Sequence, residues 1–190
     1  MPAGAKFCAQ CGIPLAGDAQ AHAEAGPILT AEARKVITAV FADLVGSTPL
    51  TERLDPEEAR QVVGAFYDEV RHAVERYDGT VANLLGDAVL AVFGLPASHE
   101  DDPERAVRAG LALRDAMPAL NDHLETRYGV GLALRVGINT GEVVAASGST
   151  FDRDFLVSDA VTTAARLQQT IAPGLVVVGE RTHRLTRDAI

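Results

Sequence analysis

The sequence predicts an α+β sandwich in which helices cover one side of a mainly antiparallel sheet. Two observations carry that prediction. KVITAVFADL, Lys35 to Leu44, is β-branched and apolar on both faces, the pattern of a central strand covered on both sides. The periodicities along the chain then run strand, helix, hairpin, helix, hairpin, helix, strand, which pairs neighbouring strands antiparallel and interleaves the helices. With 190 residues, 47% of them apolar, the chain has room for one well-buried domain and a small appendage.

Each element has its own local cause. The first strand ends at Asp43, and Val45-Gly46-Ser47-Thr48 follows, a flexible glycine and two hydroxyls where a helix could begin. Asp55-Pro56-Glu57-Glu58 supplies an N-cap, a proline at the first helical position and acids in the first turn. Val62, Val63, Phe66, Val70, Val74 and Tyr77 line one face of that helix, and Asp78-Gly79 ends it. TVANLLGDAVLAVFG, Thr80 to Gly94, alternates on both sides of Gly86-Asp87 and reads as a hairpin with one carboxylate at its tip. A second helix start at Asp102-Pro103-Glu104 leads into Val107, Leu111, Met117, Leu120 and Leu124, with Pro118 expected to kink or break it. LALRVGINTGEVVAAS reads as two strands joined around Thr140-Gly141. Ser158 is placed to cap SDAVTTAARLQQTI, and GLVVVG closes the domain as a last buried strand. The domain is expected over 34–190, after a linker at 16–33 rich in Ala and Gly.

Charge excludes several partners. With 17 Lys and Arg against 26 Asp and Glu the net charge is -9, which repels polyanions and argues against nucleic-acid binding. A nucleotide would need local cations or metal ions to bind here. No charged leader with an apolar core opens the chain and no apolar run spans a bilayer, so a cytoplasmic protein with no membrane partner is expected.

Both cysteines, Cys8 and Cys11, lie in KFCAQCGIPL. In a reducing compartment C-x-x-C followed by Gly suits a metal knuckle, since the turn aims two thiolates at one ion. Zn²⁺ takes four ligands, so residues 1–15 are either half of a knuckle completed by His22, by another chain or by a missing upstream half, or an unmetallated turn.

Two acids could do chemistry: Asp43 at the end of the first strand, and Asp87 at the hairpin tip. If the hairpin pairs beside the first strand, both carboxylates reach one edge of the sheet. Close carboxylates repel unless a proton or cation lies between them, and hard oxygen ligands suit Mg²⁺ or Mn²⁺. Gly46, Ser47 and Thr48 offer backbone N–H groups for phosphate oxygens at a helix start. Two metals beside a phosphate nest suit phosphoryl or nucleotidyl transfer. Strand-end aspartates that only cap turns are the other reading of the same residues.

FADLVGST, GTVANLLGDAVLAVFG, HEDDPERAVRAGLALRDA, LRVGINTGEVVAA and SDAVTTAARLQ, in this order and spacing, resemble the class III adenylyl/guanylyl cyclase catalytic domain over residues 34–188. The resemblance implies a ferredoxin-like α/β sandwich that converts ATP or GTP to the 3′,5′-cyclic monophosphate and pyrophosphate, with sites formed between two domains arranged head to tail as a homodimer. By position, Asp43 and Asp87 match the family's metal-binding aspartates and the carbonyl of Leu44 a backbone ligand, with two Mg²⁺ or Mn²⁺ per site. Gly46, Ser47 and Thr48 match the loop that holds the β- and γ-phosphates. Arg166 matches the arginine that the partner domain lends to the pentacoordinate phosphorus.

Three nucleoside-side positions depart from the family's pattern. Asn83 stands where typical members have the lysine that reads the purine, and Thr162 where an asparagine positions the ribose. Phe155 stands where an aspartate or threonine partners that lysine, with Asp154 one residue off the register. Asn83 and Thr162 keep hydrogen-bonding groups, and Phe155 can stack on a base. The implied enzyme favours ATP and has weak or relaxed base specificity; the alternative is a cyclase-homology module that senses nucleotide or dimerises without catalysis.

Overall fold

In a computed structural model, residues 32–45, 53–146 and 158–190 are described. The elements run β1 (Glu32–Val45), α1 (Pro56–Glu75), β2 (Thr80–Leu85), β3 (Ala88–Phe93), α2 (Asp102–Tyr128), β4 (Ala133–Ala146), α3 (Asp159–Gln169), β5 (Val176–Val178) and α4 (Glu180–Thr186). They build an α+β fold on one five-stranded sheet of order β2-β3-β1-β4-β5. β1 is central, as its two-sided apolar pattern requires, and only the β4–β5 pair is parallel.

Helices cover both faces rather than one. On one face Val40, Ala42 and Leu44 of β1, with Val89 and Phe93 of β3 and Val136 and Ile138 of β4, pack against Val62, Phe66 and Val70 of α1 and Ala109 and Leu113 of α2. On the other face Ile37, Ala39, Leu90, Val92 and Val143 meet Ala160, Val161 and Ala164 of α3. The reason lies in β1 and β3 themselves: with apolar side chains on both faces, one helical layer would leave half of them in water, at about 1.5–3 kcal/mol for each large side chain.

β4 is continuous where two strands were expected. All fourteen of its residues pair with β1, from Ala133↔Val45 to Ala146↔Glu32. Thr140 and Gly141 serve packing instead of a turn: the Thr140 hydroxyl is 2.9 Å from those of Thr38 and Thr182, and a Cβ on Gly141 would lie 2.9 Å from that of Ala160. Pro118 likewise does not break α2, because its ring is exposed while Leu113, Met117 and Leu124 hold both halves of the helix on the core. β5 is a short edge strand whose three valines are half-buried rather than fully buried.

The helix starts follow their local chemistry. The Asp55 carboxylate accepts the N–H groups of Glu57 and Glu58, each at 2.9 Å, and Glu58 reaches back to the Asp55 N–H to complete a capping box. Of the predicted α1 face, Val63 lies outside the core, on a surface groove with Pro56, Arg60 and Tyr67. Asp101, one residue before the expected start, is the N-cap of α2, while the buried Asp102 accepts the His99 N–H and Arg105 Nη2, both at 2.7 Å. Ser158 does sit at the N-cap of α3, but its hydroxyl makes no cap hydrogen bond.

Candidate active site

The sheet brings the predicted acids to one end. Asp43 is opposite Ala88 of β3 on one side and Arg135 of β4 on the other, and Gly86-Asp87 forms the two-residue turn between β2 and β3. The Leu44 N–H donates to the Asp87 carbonyl at 3.2 Å, tying the hairpin tip to the end of β1. In a strand the N–H and C=O of one residue point to the same side, so the Leu44 carbonyl also faces this turn. The expectation that Asp87 meets the end of the first strand therefore holds for the backbone.

Arg135 was not predicted. It lies beside Asp43 on the same sheet face, with Nη2 2.7 Å from Asp43 Oδ2. The two side chains are only 24% and 13% exposed, so the carboxylate sits where little water can solvate it and a cation is held against it instead. The available sequence signal was a single charge inside the apolar run LALRVGI.

Asn83 owes its direction to a bulge. Thr80 and Val81 pair with Val92 and Ala91, but Asn83 pairs with Leu90, leaving Ala82 as an extra residue. An unbroken register would set Asn83 against Val89, on the α1 side. With the bulge, Asn83, Leu90, Phe41 and Gly137 form one cross-strand row, and Leu85, Ala88, Asp43 and Arg135 form the next. Asn83 thus shares the sheet face of Asp43, one row along and two strands away. It also lines a surface groove of about 610 Å³ with Arg71 and Glu75 of α1.

Thr162 and Arg166 are one turn apart on α3. Ala160, Val161, Ala164 and Gln168 bury the sheet-facing side of that helix, so Arg166 projects outward and is exposed. Among the described residues it forms no ion pair, and no hydrogen bond or ion pair joins it to Asp43. Close docking of α3 depends on Gly137, where a Cβ would lie 2.2 Å from the Ala164 carbonyl oxygen and 2.7 Å from the Gln168 nitrogen.

A second residue missed in the sequence is Tyr67 of α1. Its hydroxyl donates to the Gly86 carbonyl, and its ring lies 6.1 Å from that of Phe66. Burial, and then the charge of Asp87, push the Tyr67 pKa above the ordinary tyrosine value, so the hydroxyl keeps its proton and remains a donor. Gly46, Ser47, Thr48, Phe155, Cys8 and Cys11 lie outside the described residues.

The donor set fits a hard divalent cation. Two carboxylates and a backbone carbonyl are hard oxygen donors of the kind such an ion takes, and the Arg135 guanidinium is the cation that Asp43 holds within the chain. Among the described residues no group of three or more His, Cys, Asp or Glu side chains is placed to hold a metal ion, here or elsewhere. No helix among them is long and apolar enough to cross a membrane.

Residues 29–189 match the family model described as the adenylate and guanylate cyclase catalytic domain. Among solved structures, the adenylyl cyclase CyaB from P. aeruginosa superposes with a TM-score of 0.76 at 29% identity, covering 84% of each chain. The guanylyl cyclase Cya2 superposes with a TM-score of 0.73 at 28% identity, covering 81% of this chain and 79% of the other. Adenylate cyclase 1 of Rhizobium meliloti (strain 1021) is 29% identical over 137 residues, which is 71% of this chain. The chain spans 21% or less of the length of that protein and of the other leading curated relatives.

Proposed function

Because the chain belongs to the adenylate and guanylate cyclase catalytic-domain family, we propose that it converts a purine nucleoside triphosphate, ATP in preference to GTP, to the 3′,5′-cyclic monophosphate. The reaction joins ribose O3′ to the α-phosphorus, breaks the α–β bridging P–O bond and releases pyrophosphate and a proton. The observation that carries the proposal is the convergence of Asp43, Leu44 and Asp87 at one end of the sheet.

Asp43 and Asp87, with the Leu44 carbonyl, would hold two Mg²⁺ or Mn²⁺ ions. Such ions, when bound, lower the pKa of the 3′-hydroxyl and neutralise charge on the triphosphate. Arg135 holds the Asp43 carboxylate through a charge-assisted hydrogen bond, so a metal bound by Asp43 would compete with that guanidinium for the carboxylate. Gly46 to Thr48 would cradle phosphate oxygens. Asn83 would face a purine edge from the bulged strand, Phe155 would stack on the base, and Thr162 would contact the ribose.

Arg166 acts from a second copy. It points away from its own sheet and meets neither Asp43 nor Arg135, which supports a head-to-tail homodimer with each site shared between copies. There its fixed charge would stabilise the pentacoordinate phosphorus.

A second reading, a module that senses nucleotide without turning it over, is favoured by one observation: Asn83, which the resemblance matches to the purine-reading lysine, carries no charge. Purified protein incubated with Mn²⁺ and ATP or GTP decides between the two. Cyclic product supports the enzyme. No product, together with nucleotide affinity unchanged in Asp43→Ala, removes it; binding without turnover that becomes turnover in Asn83→Lys supports the sensing module.

A further inference from the structure

The hairpin tip that carries Asp87 is held from two elements at once. β1 holds it through the Leu44 N–H, which donates to the Asp87 carbonyl at 3.2 Å. α1 holds it one peptide earlier, through the Tyr67 hydroxyl on the Gly86 carbonyl. Between those two carbonyls lie the Gly86–Asp87 peptide plane and the Asp87 Cα, the part of the chain that sets where the carboxylate leaves the backbone. Gly86 has φ of 69° and, among the described residues, open space around the position of a Cβ, so no side chain of its own packs to fix that plane. A two-residue turn of this kind has alternative geometries that differ chiefly by rotation of the central peptide, and rotation points the carbonyl and the next N–H to opposite sides.

We propose that Tyr67 is a positioning residue: by donating to the Gly86 carbonyl it selects one orientation of the Gly86–Asp87 peptide and so aims the Asp87 carboxylate at the metal position beside Asp43. The inference rests on the cyclase reading for what Asp87 binds, and on the hydrogen bond alone for how the turn is held. The tyrosine suits this task because its ring is anchored against Phe66 of the core while its hydroxyl reaches the turn, so the clamp is referenced to the rigid α1 layer and not to solvent. The backbone can accept the hydrogen bond without any change in the identity of Asp87, which is why spacing alone does not expose it.

The test is Tyr67→Phe in the full chain, which keeps the ring and deletes only the donor. Two readouts are taken: amide hydrogen exchange across residues 84–90, and Mn²⁺ affinity from the electron paramagnetic resonance signal of free Mn²⁺ in the presence of a non-cyclisable ATP analogue. Loss of one such hydrogen bond is expected to weaken Mn²⁺ roughly three- to tenfold and to speed exchange at the turn by a similar factor. The melting temperature should move by no more than about 4 °C, which separates aiming from loss of fold. Arg60→Ala, on the same groove but without a bond to the turn, serves as the control and should change neither readout.

Faster exchange with weaker Mn²⁺ binding supports the proposal. Wild-type exchange, or wild-type Mn²⁺ affinity in a variant whose turn has loosened, overturns it. If the unaltered protein binds Mn²⁺ no better than Asp87→Asn does, the cyclase reading is what fails, and the aiming of a metal ligand falls with it even where the exchange arm shows the clamp.

Discussion

Arg135 Nη2 lies 2.7 Å from Asp43 Oδ2 across the β1–β4 ladder, so the carboxylate matched to a metal ligand is already paired with a cation of its own chain. Both side chains are largely shielded, so removing either leaves the other poorly solvated. Arg135→Gln should therefore lower unfolding stability by about 1–3 kcal/mol in metal-free buffer. Mn²⁺ should recover more stability in this variant than in the unaltered protein, because the ion no longer displaces a guanidinium. Urea denaturation with and without Mn²⁺ measures both effects, and equal Mn²⁺ stabilisation of the two proteins would count against a shared position.

The bulge at Ala82 makes Asn83 a test of base reading. On the predicted face, Asn83→Lys adds a charged donor, and hydrogen bonds to charged groups contribute about 1.5–3 kcal/mol, roughly a tenfold to hundredfold change in kcat/KM. The gain should differ between ATP and GTP. Steady-state assays with both nucleotides check it; equal effects on the two would mean that position 83 does not face the base.

Complementation tests the shared site. Arg166→Ala and Asp43→Asn should each be inactive alone. Mixed one to one and allowed to exchange subunits, they should recover about a quarter of wild-type activity, since half of the dimers are mixed and each has one intact site. Zero recovery despite demonstrated exchange would argue that both residues serve one chain.

Gly137 controls the seating of α3. In Gly137→Ala the new methyl would meet the Ala164 carbonyl and the Gln168 nitrogen, so the helix must lift from the sheet. Overpacking of this kind costs about 1–3 kcal/mol or more, and it also displaces Arg166. Thermal melts should fall, and activity should fall further than nucleotide binding, because only the α3 side of the site has moved.

The two-sided β1, the N-cap at Asp55, the first hairpin with its turn at Gly86-Asp87 and the helix starts were legible in the sequence, because each is written in residues adjacent along the chain. The places of Asp43 near the end of β1 and of Asp87 in the hairpin turn were legible for the same reason: both stand at points where a periodic apolar run stops. Gly141 misled as a turn, since a glycine also serves where a neighbouring helix needs room, and Pro118 does not break its helix, whose apolar face holds both halves on the core.

Local pattern thus determined that this chain makes strands and helices in a given order and ends two of its strands beside an acid. Pairing across the sheet decided the rest. The Arg135–Asp43 contact joins residues 92 positions apart, the Tyr67 bond reaches a carbonyl on a different element, and the face of Asn83 depends on one extra residue in a ladder. Each is a relation of register, and register is set by how buried side chains of separate segments fit together, a quantity that no single segment contains.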